Sequence, residues 1–244
     1  MRRLLTAISV AAAFTLASPA LADDAPAKAD AAKIELPPMS PDKSVEQSID
    51  LDGHPLRYAA TVGHIDVRDA KGKTIGQVVY TAYTVPSRAP RPVTFAFNGG
   101  PGASSVFLNM GAIGPKKVNF GVQGDSPSDP AVLHDNPNSW LSFTDLVFID
   151  PIGTGYSIAK GGEDAQKRFF GVREDLDALS KAIGLALTRL GRRDSPIYLL
   201  GESYGGFRAA RLPLLLSEKQ RINVSGTILL SPVIEFSLMQ GDAF

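Results

Sequence analysis

The chain has 244 residues, 44% of them hydrophobic and 20% charged, enough apolar material for one α/β domain with a sizeable core. Lys and Arg total 25, as do Asp and Glu, so the chain lacks the basic excess of a nucleic-acid binder; the Arg192-Arg193 and Lys116-Lys117 pairs read as solvated surface charge. Cysteine is absent, which excludes a disulfide framework, a thiolate metal site, an iron–sulfur cluster and a cysteine nucleophile.

The N-terminus is organised for export. Arg2 and Arg3 supply positive charge, Leu4 to Ala17 is apolar, and Ala20-Leu21-Ala22 has the small-x-small pattern of a cleavage site. The apolar run is shorter than the roughly 20 residues of a membrane span, so stable membrane insertion is not expected. Residues 1–22 read as a signal peptide, and residues 23–43, rich in Ala, Pro, Asp and Lys, as a flexible tether. Residues 44–244 read as the folded part. Export without disulfides suits a bacterial periplasmic or secreted protein.

From Ser44 the texture becomes β-like. The turn signal Asp52-Gly53 is followed by alternation from Leu56 to Val67, and a second β-rich run follows Lys71-Gly72, which predicts antiparallel strands joined by short turns. Further on, "RPVTFAF", "LVFI", "SPIYLLG" and "SGTILLSPV" read as short buried strands. Val172, Leu176, Leu179, Ile183 and Leu187 recur at helical spacing up to Gly191, and "YGGFRAARLPLLLSE" reads as a second helix. Apolar strands alternating with helices predict an α/β fold: a mostly parallel sheet with helices on both faces, preceded by antiparallel strands.

Two glycine-rich loops follow strands. Gly201-Glu202-Ser203-Tyr204-Gly205 is a G-x-S-x-G between a strand and a helix, where small neighbours let the chain reverse sharply and expose a serine hydroxyl. "NGGPGASS", Asn98 to Ser105, lacks the third glycine of a dinucleotide fingerprint. It suits oxyanion stabilisation better: loop N–H groups beside the nucleophile can meet the charge of a tetrahedral intermediate, together with the N–H of the residue after the serine, Tyr204.

In this order, "NGGPGASS", "NPNSW", "DPIGTGYS" and "GESYGG" resemble the serine carboxypeptidase family of α/β-hydrolases. The resemblance implies Ser203 as nucleophile and the N–H groups of Gly100 and Tyr204 as the oxyanion hole. It implies that Asn98, the N–H of Gly99 and Glu202 hold the free C-terminal carboxylate of a peptide substrate. No cofactor is expected, and the three scattered histidines, with no H-E-x-x-H, predict no metal site. A carboxylate at position 202 repels an anionic substrate unless it is protonated, so acid-favoured activity would fit. The sequence departs from the family's pattern at Ala103, where cysteine is common, and at Ala112, where many members carry a second acid. The second departure opens an esterase or acyltransferase alternative on the same scaffold.

Histidine occurs at positions 54, 64 and 134, all before Ser203, whereas the triad of this fold runs serine, acid, histidine along the chain. The chain therefore reads as the N-terminal part of an α/β-hydrolase, without its triad Asp and His and inactive alone. An exposed apolar edge strand is expected with it, and a non-catalytic short form that binds peptide or a partner is the alternative from another class.

Overall fold

The structure, a computed structural model, describes residues 39–118 and 132–236. The predicted signal peptide and residues 23–38 of the predicted tether lie outside the described residues. Strands β1 (Lys43–Leu51) and β2 (His54–Arg68) form an antiparallel hairpin with Leu51 opposite His54. Asp52 and Gly53 turn the chain with φ of 54° and 80°, the twist that suits a two-residue hairpin. β3 (Thr74–Thr84) returns antiparallel to β2 after a turn in which the Asp69 carboxylate accepts from the Lys71 and Lys73 N–H groups.

β4 (Val93–Phe97) leads through the first glycine loop to a helical turn, α1 (Val106–Leu108), which continues as a π turn over Asn109–Ile113. β5 (Lys116–Val118) and β6 (Leu133–Asp135) form a small separate ladder. There follow β7 (Asp145–Ile149), β8 (Ile158–Ala159), α2 (Glu163–Arg168), α3 (Val172–Arg189), β9 (Ile197–Glu202), α4 (Tyr204–Leu215) and β10 (Gly226–Leu230). No helix among the described residues is long and apolar enough to cross a membrane.

The main sheet has the order β1-β2-β3-β7-β4-β9-β10, with β8 added to β3. Its β7-β4-β9-β10 portion is parallel and its β1-β2-β3 portion antiparallel, with β3 also antiparallel to β7. β4 lies between β7 and β9, so the chain leaves β4 first to one side and later to the other. The loops after such strands diverge and leave a crevice at their carboxyl ends.

Every residue of β4 and β7 is buried, and the period of two divides them between two faces. Val93, Phe95, Phe97, Val147 and Ile149 pack with Leu179, Ile183 and Leu187 of α3 and with Leu212 of α4. Ala96, Leu146 and Phe148 pack with Leu108, Ile113 and Leu141, so the second face is covered by short helical turns. Burying each of the large α3 side chains contributes about 1.5–3 kcal/mol. α3 stops where Gly191, at φ 64°, lets the Arg192 N–H reach the Leu187 carbonyl at 2.8 Å.

Candidate active site

β9 carries the chain to Ser203, where it reverses into α4. Ser203 has φ 57° and ψ −123°, a strained region for a residue with a Cβ. Three backbone bonds hold it there: its N–H donates to the Leu230 carbonyl at 3.0 Å, and its carbonyl accepts from Gly206 at 2.9 Å and Val233 at 3.0 Å. The glycines of the motif answer to close approach. A Cβ on Gly201 would lie 1.8 Å from the Gly205 carbonyl oxygen, and one on Gly205 would lie 2.3 Å from that of Phe97. Tyr204 opens α4, so its N–H belongs to the first turn, whose donors have no partner within the helix.

The Asn98–Ser105 loop packs directly on this turn. A Cβ on Gly99 would lie 2.6 Å from the Tyr204 nitrogen and 2.8 Å from the Ser203 Cβ. Gly100 follows at φ 105°, with its Cβ position 2.5 Å from the Gly102 nitrogen. Asn98 is buried and bridges the site: its Nδ2 donates to Glu202 Oε2 at 3.1 Å, and its Oδ1 accepts from the Leu108 N–H at 3.0 Å. The residues singled out in the sequence, Asn98, Gly99, Gly100, Glu202, Ser203 and Tyr204, thus come together from two loops after neighbouring parallel strands.

The other two motifs brace this centre. In "DPIGTGYS", Asp150 Oδ1 accepts from the Ser105 N–H at 2.8 Å, and the Ser105 hydroxyl donates to the Ile149 carbonyl. Burial pushes the Asp150 carboxyl above its ordinary value, with the Ser105 N–H opposing. In "NPNSW", Asn136 Nδ2 donates to the carbonyls of Ala112 and Gly114 at 2.7 and 2.8 Å, and Ser139 Oγ to that of Ile113 at 3.1 Å. That motif clamps the π turn. Ala112 is exposed on the turn and brings no carboxyl to it.

Two buried charged residues beside the site escaped the sequence reading. Arg208 of α4 donates to Asp175 of α3 through Nε at 2.7 Å and Nη2 at 3.2 Å, and to the Asn98 carbonyl through Nη1 at 3.1 Å. Its guanidinium carbon lies 4.7 Å from the centre of the Tyr204 ring. Burial pushes the Asp175 carboxyl up, against the pull of Arg208. The available signal was a cation four residues after Tyr204, on the helix face that also carries Leu212, where a charge must find a partner.

None of the histidines is hydrogen-bonded to Ser203 among the described residues. His54 starts β2 at the hairpin, His134 is exposed on β6 opposite Lys117, and His64 Nδ1 lies 3.7 Å from Asp42 Oδ1. A cavity of about 570 Å³, lined by Met39, His64, Val79, Tyr156 and Ile158 among others, does not include Ser203. No group of three or more His, Cys, Asp or Glu among the described residues could hold a metal ion. A serine on a strained strand-to-helix turn, with a glycine loop packed against it, suits a nucleophile for acyl transfer.

Comparison with known proteins points the same way. The chain is 31% identical over 146 residues to serine carboxypeptidase-like 50 of Arabidopsis thaliana, covering 59% of this chain and 31% of that protein. It is 26% identical over 199 residues to serine carboxypeptidase-like 26 of rice, Oryza sativa subsp. japonica, covering 76% and 39%. Among solved structures it resembles Kex1(delta)p, a prohormone-processing carboxypeptidase from Saccharomyces cerevisiae, with a TM-score of 0.56 and 26% identity over 70% of this chain and 38% of that one. The matched part of the chain thus spans less than half the length of these relatives. The model of the serine carboxypeptidase family matches residues 52–238, and the chain belongs to that family.

Proposed function

We propose that the full-length protein is an exported serine carboxypeptidase that releases C-terminal amino acids from peptides. The Ser203 Oγ attacks the carbonyl carbon of the last peptide bond and gives its proton to a general base. The N–H groups of Gly100 and Tyr204 take the negative charge that develops on the carbonyl oxygen. Collapse breaks the C–N bond, the leaving amine takes the proton from the base, and water hydrolyses the acyl-enzyme ester. The Asn98 side chain, the Gly99 N–H and Glu202 hold the carboxylate of the departing residue.

The observation that carries this reading is the seating of Gly99, whose Cβ position lies within 3 Å of both Ser203 and Tyr204, so that a carboxylate donor and the nucleophile share one small site. We assign the base and its orienting acid to a part of the protein outside the described residues; the greater length of the relatives leaves room for them. Residues 1–22 are the export signal of a periplasmic or secreted bacterial protein; the tether that follows ends before Asp42, which accepts from Tyr80 Oη at 3.0 Å, and Lys43 already opens β1 of the hydrolase domain. Ala112 favours one alternative, an esterase or acyltransferase, because it stands where many members of the family carry a second acid.

The test uses the full-length protein with an N-blocked dipeptide bearing a free C-terminus and with an acyl ester lacking one. The expected result is release of the C-terminal amino acid, lost in Ser203→Ala, and a fluorophosphonate adduct mapped to Ser203. Ester turnover without amino-acid release would support the alternative. A folded protein inert toward both substrates and the probe would leave a peptide-binding role.

A further inference from the structure

We infer that Arg208 is a positioning residue that aims the Gly99 N–H at the substrate carboxylate and strengthens it as a donor. The inference rests on the carboxypeptidase reading and concerns a residue that takes no part in bond making. Asn98 C=O and Gly99 N–H belong to one planar trans peptide, so fixing the direction of the carbonyl fixes the N–H in the opposite direction. Arg208 Nη1 donates to that carbonyl at 3.1 Å from the α4 side. The Gly99 N–H is therefore turned away from the helix. A cation on the carbonyl oxygen also draws electron density out of the peptide, which makes its N–H a better donor to an anion.

The guanidinium is held on three sides. Asp175 binds it through two nitrogens, the Tyr204 ring lies against it, and Asn98 takes the remaining edge. Arg208 and Asp175 are 2% and 3% exposed, so the assembly is dry. Lysine cannot make this set of contacts, because an ammonium lacks the planar fork. Gly205 belongs to the same arrangement: its Cβ position is 2.9 Å from the Asn98 carbonyl oxygen, and a side chain there would push the helix away.

The test separates carboxylate recognition from general damage. In full-length Ser203→Ala protein, which cannot turn over, Kd is measured for an N-blocked Phe-Leu dipeptide and for its C-terminal amide. Asp175→Leu with Arg208→Met removes both charges together, a replacement that buried pairs tolerate. The expected result is a ratio of amide to acid Kd that falls about tenfold from its Ser203→Ala value, while the amide Kd changes much less. An unchanged ratio in the folded triple variant overturns the role of Arg208. A parent that does not prefer the acid overturns the carboxypeptidase reading instead. Independently of that outcome, Arg208→Lys should move the Gly99 amide ¹⁵N resonance, which senses the hydrogen bond on the preceding carbonyl, and leave that of Gly102 in place. A stationary Gly99 resonance overturns the inference.

Discussion

Gly99 packs against Ser203 across two loops: a Cβ on Gly99 would stand 2.8 Å from the Ser203 Cβ and 2.6 Å from the main-chain nitrogen of Tyr204. Since the latter is main chain, no rotamer change can relieve the overlap, and Gly99→Ala must separate the loop from the nucleophile turn. Displacement of about 1 Å at such a site costs on the order of 100-fold in kcat/KM. Gly102 in the same loop has φ 123° but open space around its Cβ position. Gly102→Ala should cost about 1–3 kcal/mol of backbone strain and change kcat/KM far less. Equal losses of activity in the two variants would mean that loop strain, and not contact with Ser203, matters.

A second prediction concerns the opposite end of the parallel strands. Asp145, at the start of β7, is fully buried and binds Arg91 Nε at 3.0 Å and Arg192 Nε at 2.8 Å, and it accepts from the Val85 N–H at 3.0 Å. Asp145→Ala strands two partly buried guanidinium groups and a buried N–H, and should destabilise the fold by about 3–5 kcal/mol. Removing either arginine alone leaves the carboxylate one cationic partner and should cost less. Denaturant unfolding of the three variants checks the order. A loss below about 1 kcal/mol for Asp145→Ala would show that the triad adds little.

The Arg208 and Asp145 networks mark the boundary of what the sequence disclosed. The Asp52-Gly53 hairpin, the buried strands, the helix closed by Gly191 and the serine turn each carry a local signature: a turn pair, a period, a stop or a spacing. The two site loops were also legible, because each glycine cluster follows an apolar strand. The Arg208 contacts span 33 residues to Asp175 and 110 to Asn98, and those of Asp145 span 54 to Arg91 and 47 to Arg192. Such pairings depend on β4 lying between β7 and β9, and no local pattern encodes strand order. The π turn was equally hidden, since Asn136 and Ser139 hold it from outside.

Asp150 should give the protein a pH-dependent stability of known sign. Its carboxyl is held above the ordinary value chiefly by burial, so the folded protein keeps this proton at a pH where the unfolded chain has released it. The associated stabilisation is complete below the unfolded value and is lost as pH rises through the folded value. Asp150→Asn removes the titration and keeps an acceptor for the Ser105 N–H. Its stability relative to the parent should therefore rise with pH across the acidic range above the ordinary carboxylate value, then level off. Chemical unfolding at a series of pH values reads this difference, and a difference that stays flat or falls with pH would refute the assignment.

The last prediction follows from β10. Among the described residues this strand pairs only with β9, and its successive residues Leu229 and Leu230, which point to opposite faces, are 41% and 48% exposed. A strand in the parallel part of a sheet is ordinarily covered on both faces, and an open apolar edge is a template for pairing with another chain. Ile234 and Phe236 add exposed apolar surface just beyond it. The 244-residue chain on its own should self-associate with increasing concentration, and Leu229→Lys should weaken that association. Sedimentation velocity on both proteins gives the answer. A parent that stays monomeric on the order of 100 μM would mean that the edge is protected, since exposed edges of this kind aggregate in the micromolar to millimolar range.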